Sequence, residues 1–112
     1  MNNKLFEIAN IYSAKSGLSC VVQIRPGERY LEEPHIRYLK NIYKADTEYI
    51  KLSLSNDIDR IRIIESNGFK ISCEHLTKVK EFIKINYDVL FHYYKEAEFL
   101  DTGDFILRFK KV

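Results

Sequence analysis

Residues 72–97, SCEHLTKVKEFIKINYDVLFHYYKEA, decide how the rest of the chain must be read. Leu76, Val79, Ile83, Tyr87, Leu90, Tyr94 and Ala97 recur at three- and four-residue intervals. That spacing lays one apolar stripe along an α-helix. Ser72 stands where an N-cap accepts a backbone N–H, and Glu74 suits the positive end of the helix dipole. Lys84, Asp88, His92 and Glu96 follow at i,i+4 steps on the other side, which reads as a solvent face. Asn86 falls at the edge of the stripe, positioned either to kink the helix or to bond a neighbouring backbone group. The spacing predicts one long amphipathic helix over 73–97, and so wide a stripe needs a cover of matching size.

The preceding residues supply it. From Leu18 the period is two: Leu18, Cys20, Val22 and Ile24 share one face, and Ser19, Val21, Gln23 and Arg25 the other. Pro26-Gly27 punctuates the chain as a turn. A second strand runs over 35–40, just after Pro34, with Ile36 and Tyr38 opposing His35 and Arg37. A third, over 48–55, sets Ile50, Leu52 and Leu54 against Tyr49, Lys51, Ser53 and Ser55. Asn56-Asp57 turns the chain into a fourth, over 58–65, with Ile61 and Ile63 opposing Arg60, Arg62 and Ile64. Asn67-Gly68 is the strongest turn signal. Short turns between consecutive strands favour an antiparallel meander over parallel βαβ units. The expected fold is therefore α+β: a four-stranded antiparallel sheet packed on one long C-terminal amphipathic helix.

The two ends of the chain are less decided. Leu5, Ile8, Ala9 and Tyr12 have helical spacing and Gly17 would end a helix, so 3–15 reads as a short N-terminal helix; β-branched Ile8 and Ile11 support a rival strand. In the tail, Phe105, Leu107 and Phe109 alternate as in a strand, whereas Thr102 before Asp104 resembles a helix start. At 112 residues, 46% hydrophobic and 30% charged, the chain is expected to form a single folded domain over 1–112. No apolar run approaches the roughly 20 residues that span a bilayer, and the first residues lack the apolar run of a signal peptide. Cys20 and Cys73 have no CxxC partner, which fits free thiols in a reducing, cytoplasmic compartment.

Dedicated chemistry is hard to assemble from these residues. No two of His35, His75 and His92 are spaced as a chelating pair, and a zinc site would have to gather Cys73 and His75 with something on the sheet. The simpler reading has both residues merely opening the helix. Cys20 lies on an apolar face, while Cys73 at a helix start is the better reactive thiol. The four glycines are scattered, so there is no phosphate loop. Glu32-Glu33 and Asp57 with Asp59 read as solvated turn acids. Neither a metal nor a cofactor is expected.

The other face of the sheet is the informative place. Its residues are Gln23, Arg25, His35, Arg37, Tyr49, Lys51, Ser53, Arg60 and Arg62: five of the nine are basic and none is acidic, in a chain with a formal charge of only +2. Arg and Tyr are favoured interface anchors, and they also stack on bases and pair with phosphates. They equally keep an open sheet soluble. The candidate binding residues are Arg25, His35, Arg37, Tyr49, Lys51, Arg60 and Arg62. His35 is the weak catalytic candidate.

Glu33-Pro34-His35-Ile36-Arg37-Tyr38 resembles a degenerate form of the Pro-Pro-His-X-His strand of a small bacterial domain-of-unknown-function family. The order of elements over 18–97 is similar, ending in a long helix with an aromatic end. The resemblance implies a small cytosolic bacterial protein encoded in a toxin–antitoxin-like setting. Arg37 replaces the second signature histidine and Glu33 the first proline, so only His35 carries over. The expectation is a non-enzymatic protein that binds a protein partner, as a regulator or as an inhibitor of a host or phage factor. The alternative is an RNA-binding protein or RNA-cleaving toxin, with His35 as acid–base and Arg37, Arg60 and Arg62 on phosphates. A half-covered sheet also exposes edges, which homodimerisation would cover.

Overall fold

A computed structural model describes residues 8–25, 33–44, 47–96 and 102–112 of the chain. Five strands form one antiparallel sheet in chain order: β1 (Ala9–Ile11), β2 (Val21–Ile24), β3 (His35–Leu39), β4 (Tyr49–Ser53) and β5 (Ile63–Asn67). Helix α1 (Ser13–Ser16) links the first two strands, and a 3-10 turn (Ile58–Arg60) precedes the last. Helices α2 (Cys73–Ile85), α3 (Tyr87–Glu96) and α4 (Thr102–Ile106) follow. The expected Pro26-Gly27 turn, residues 3–7 and the helix end at Ala97 lie outside the described residues.

The α+β antiparallel character is as expected, but the sheet has five strands rather than four. The extra one is β1, where the sequence favoured a helix. Ala9 and Ile11 are fully buried opposite Ile24 and Val22, while Ile8 and Tyr12, two members of the helical stripe, are half exposed. An apolar stripe that does not go inside is no reason for a helix; alternation that does go inside makes a strand. The strand expected from Leu18 starts at Val21, although Leu18 is still buried and donates its N–H to Ser16 Oγ at 2.9 Å.

The fourth predicted strand is displaced. Asp57 accepts a hydrogen bond from the Asp59 N–H at 3.0 Å, and this cap winds Ile58–Arg60 into the 3-10 turn. β5 then runs to Asn67 and ends where Gly68 takes φ 70, a backbone angle that only glycine adopts without strain.

The long helix is two helices. The buried Asn86 closes α2 with a non-helical backbone (φ −110, ψ 15), and its amide turns to the chain: Nδ2 donates to Phe82 O (3.0 Å) and Lys110 O (2.9 Å), and Oδ1 accepts the Lys110 N–H (2.7 Å). α3 restarts at once, with the Leu90 N–H on Asn86 O at 2.8 Å. Ser72 caps α2 as read, accepting the His75 N–H at 3.1 Å.

Val79, Phe82 and Ile83 of α2, with Leu90, Tyr93 and Tyr94 of α3, join Val22, Ile24, Ile36, Tyr38, Ile50 and Leu52 of the sheet in one core. The tail completes it as a helical turn: Phe105 and Phe109 are buried and Leu107 is exposed. Phe105 stacks on Tyr93 at 4.2 Å, and Phe109 on Phe82 at 5.8 Å. Each buried ring contributes about 1.5–3 kcal/mol of apolar transfer. The aromatic contacts thus anchor the tail to both helices.

Candidate functional site

Strand register assembles the face on which function was expected. Asn10 lies opposite Gln23, Gln23 opposite Arg37, Arg37 opposite Lys51, and Lys51 opposite Glu65, a polar row across all five strands. Gln23 Nε2 donates to Asn10 Oδ1 at 2.9 Å, and Arg25 Nε donates to Gln23 Oε1 at 2.8 Å. Lys51 Nζ is 3.0 Å from Glu65 Oε1, and the Tyr49 hydroxyl donates to Glu65 Oε2 at 2.7 Å. The Arg37 guanidinium lies 4.4 Å from the centre of the Tyr49 ring. Arg37, Tyr49 and Lys51 are therefore brought together, and Arg25 reaches them through Gln23.

Glu65 is the member the sequence reading missed. It had placed Arg60, Arg62 and Ile64 on this face, which excludes Glu65 by strict alternation. A β-bulge intervenes: Leu52 pairs with Ile63 but Lys51 with Glu65, so Ile64 is the extra residue and Glu65 swings onto the Lys51 side. The Tyr49 hydroxyl first, and the Lys51 ammonium second, hold the Glu65 carboxyl below its ordinary pKa. The same hydrogen bond is the main cause that pushes the Tyr49 hydroxyl up, with burial adding to it and the Arg37 charge opposing it.

The face is also less open than its composition implied. Gln23, His35, Lys51 and Ser53 are all buried; Arg25, Arg37 and Tyr49 are half-buried; only Arg60 and Arg62 are well exposed. Nor is it purely basic. Arg62 pairs with Glu33, and Arg60 lies 3.6 Å from Asp57. A period of two sorts residues onto faces, but the central strand β3 is buried on both. His35, the acid–base candidate, is only 1% exposed. Its Nδ1 donates to the Glu33 carbonyl at 2.8 Å and its ring meets Tyr94 of α3 edge-on at 5.8 Å, so it ties β3 to the helices.

A second cluster was not anticipated. At the start of α2 a cleft of about 310 Å³ is lined by Ser19, Ser72, Glu74, His75 and Lys78. His75 Nε2 is 2.6 Å from the Tyr38 hydroxyl and 3.1 Å from Ser19 Oγ. Tyr38 Oη also accepts the Cys20 N–H at 3.1 Å while keeping its own proton. Burial pushes the Tyr38 hydroxyl pKa up, which keeps that proton in place. The arrangement fastens β3, and the residues that lead into β2, to the first turn of α2. A contact between residues so far apart in sequence leaves no local signal.

Among the described residues no three His, Cys, Asp or Glu side chains gather as a metal would require, and no described helix is long and apolar enough to cross a membrane. Cys20 is half-buried and Cys73 exposed, both as free thiols. Neither a protein-family model, nor a curated protein, nor a solved structure matches the chain.

Proposed function

We propose that this chain acts by binding a protein partner on the outer face of β3 to β5 and the adjoining 3-10 turn, around Arg37, Tyr49, Glu65, Arg60 and Arg62. The observation that carries this reading is the pairing of the cations on this face, the buried Lys51 and the exposed Arg60 and Arg62 alike. Lys51 has Glu65, Arg62 has Glu33 and Arg60 has Asp57. A phosphate backbone would have to displace these carboxylates, because affinity for nucleic acid comes from cations that neutralise phosphates. A protein surface of mixed charge can interleave with such pairs, and Tyr49 under Arg37 offers the amphipathic anchors that protein interfaces favour. A regulatory or inhibitory role of the toxin–antitoxin kind is the setting in which a small binding protein of this sort would act.

The test is affinity capture from the native host with and without nuclease, comparing the wild type with Tyr49→Ala and Arg62→Glu. A protein retained after nuclease treatment and lost with either variant is the expected outcome. Capture that vanishes with nuclease, or RNA binding that weakens steeply with salt and fails in Arg62→Glu, sinks the proposal in favour of nucleic acid.

A further inference from the structure

We propose that the β5 edge is a self-complementary surface that pairs with the β5 edge of a second copy of this chain, related by a two-fold axis between Ile63 and Ile64. Strand β5 ends the sheet order, and no described strand pairs with its outer side. Four of its five residues are exposed. A row of unpaired backbone groups at a sheet edge is a template for another strand, and a two-fold axis requires that the edge complement itself.

The β-bulge supplies that complementarity. Cross-strand partners must project from the same face of the sheet. In a regular strand, residues 62 and 65 point to opposite faces because their separation is odd. Here Arg62 shares the outer face with Glu65: Ser53 donates its N–H to Arg62 O at 2.9 Å and Lys51 pairs with Glu65, with the extra residue Ile64 between. An antiparallel axis between Ile63 and Ile64 then sets Arg62 of each copy opposite Glu65 of the other. Arg62 and Glu65 side chains are 63% and 49% exposed, so both retain reach while holding their partners within the chain. Ile63, at 41% exposed, is one of the few large apolar residues left open and lies at the axis.

The match is one of charge and shape with a second copy, which is why a second copy is the occupant rather than a strand of unrelated sequence. The stretch paired about this axis, Arg62 to Glu65 of each copy, buries less than the surface of a typical stable dimer, so the association is expected to be weak and concentration-dependent. It needs no other protein, and its test is independent of the partner-binding reading.

Analytical ultracentrifugation over a wide concentration range should show a monomer–dimer equilibrium for the wild type. R62E and E65R should each weaken dimerisation about tenfold or more, because each replaces two attractions with two repulsions. The double variant R62E/E65R should restore it, and mixing R62E with E65R should produce a heterodimer in which all four charges are again matched. If E65R folds poorly, Ile63→Lys with circular dichroism as a folding check gives the same reading. A chain monomeric at every concentration, leaving the edge to a strand of another protein, overturns the proposal. So does a dimer indifferent to both single variants.

Discussion

Replacing Asn86 with leucine tests whether one buried amide locks the tail onto the helices. Leucine has as many side-chain heavy atoms as asparagine and is somewhat bulkier, so the change deletes hydrogen bonds without opening a cavity. Three side-chain bonds are lost, to Phe82 O at 3.0 Å and to Lys110 O and N–H at 2.9 and 2.7 Å. At roughly 1 kcal/mol net for each, the loss is about 3 kcal/mol. The tail has one escape: residues 109–112 can lift so that water satisfies Lys110. That route exposes Phe109, now 5% exposed, and costs about 1.5–3 kcal/mol instead. Leucine's better helix propensity offsets only a few tenths of a kcal/mol. Either way about 2–3 kcal/mol should go, a fall in Tm of roughly 10 °C. Urea denaturation measures the total. Hydrogen exchange at Val112, whose N–H is held by Ser16 O at 3.0 Å, shows which route is taken. Asn86→Asp should cost as much, since it turns the donor into an oxygen facing two carbonyl oxygens. A loss under about 0.5 kcal/mol with unchanged exchange at Lys110 and Val112 would refute the reasoning.

Gly17→Ala should destabilise the chain by about 1–2 kcal/mol or more from the φ of 81 alone, and a Cβ there would sit 2.5 Å from Val112 O. Exchange at Val112 should rise with it. Tyr38→Phe removes a hydroxyl that joins β3, and the residues that lead into β2, to α2, and should cost about 1–2 kcal/mol in urea denaturation. Burial raises the Tyr38 pKa, so the folded chain keeps a proton that the unfolded chain gives up. Stability from this group is complete below pH 10.0 and is lost as pH rises through the folded value, and Tyr38→Phe should remove that alkaline loss. Glu65 has the opposite sign: its lowered pKa contributes stability above 4.5 that is lost as pH falls, and Tyr49→Phe should shift its NMR titration upward and shrink the loss. Lys51→Met should change stability by less than about 1 kcal/mol, because apolar packing replaces the buried lysine while the Glu65 carboxylate, half exposed, stays solvated. Glu65→Ala should cost more, as it takes the carboxylate from Lys51 and the acceptor from Tyr49. Chemical denaturation of the pair decides between these outcomes.

What was legible in the sequence was whatever local periodicity determines. Ile36 with Tyr38, and Ile50 with Leu52, went inward as their alternation required, and Ser72 capped α2. β1 was obscured because three residues are too few for a period of two to outweigh a helical spacing. The 3-10 turn and the bulge shifted β5 out of the expected frame, and with it Glu65, the acid that pairs with Lys51 in the polar row. The break at Asn86 had a local sign, a polar residue at the edge of the apolar stripe, but its partner Lys110 lies in a tail whose state was undecided. The burial of His35 and Lys51 had no sign at all, because a strand does not encode whether its second face is covered. The Tyr38–His75 bond joins strand to helix through tertiary packing, which periodicity does not record.

The order of strands carries a consequence for how the chain folds. In a meander every strand meets the one before it, so β1 to β5 can form by adding one neighbouring strand at a time, with a connection of nine or ten residues to close at each step. The tail obeys different kinetics. Its seat is made of Ser16 and Asn86, and α4 packs against β1, so the last residues must find the first across the whole length of the chain. Long-range closures of this kind are slow relative to local ones. The sheet and the first two long helices should therefore be in place before residues 102–112 dock, and stopped-flow refolding should show Asn86→Leu speeding unfolding far more than it slows folding.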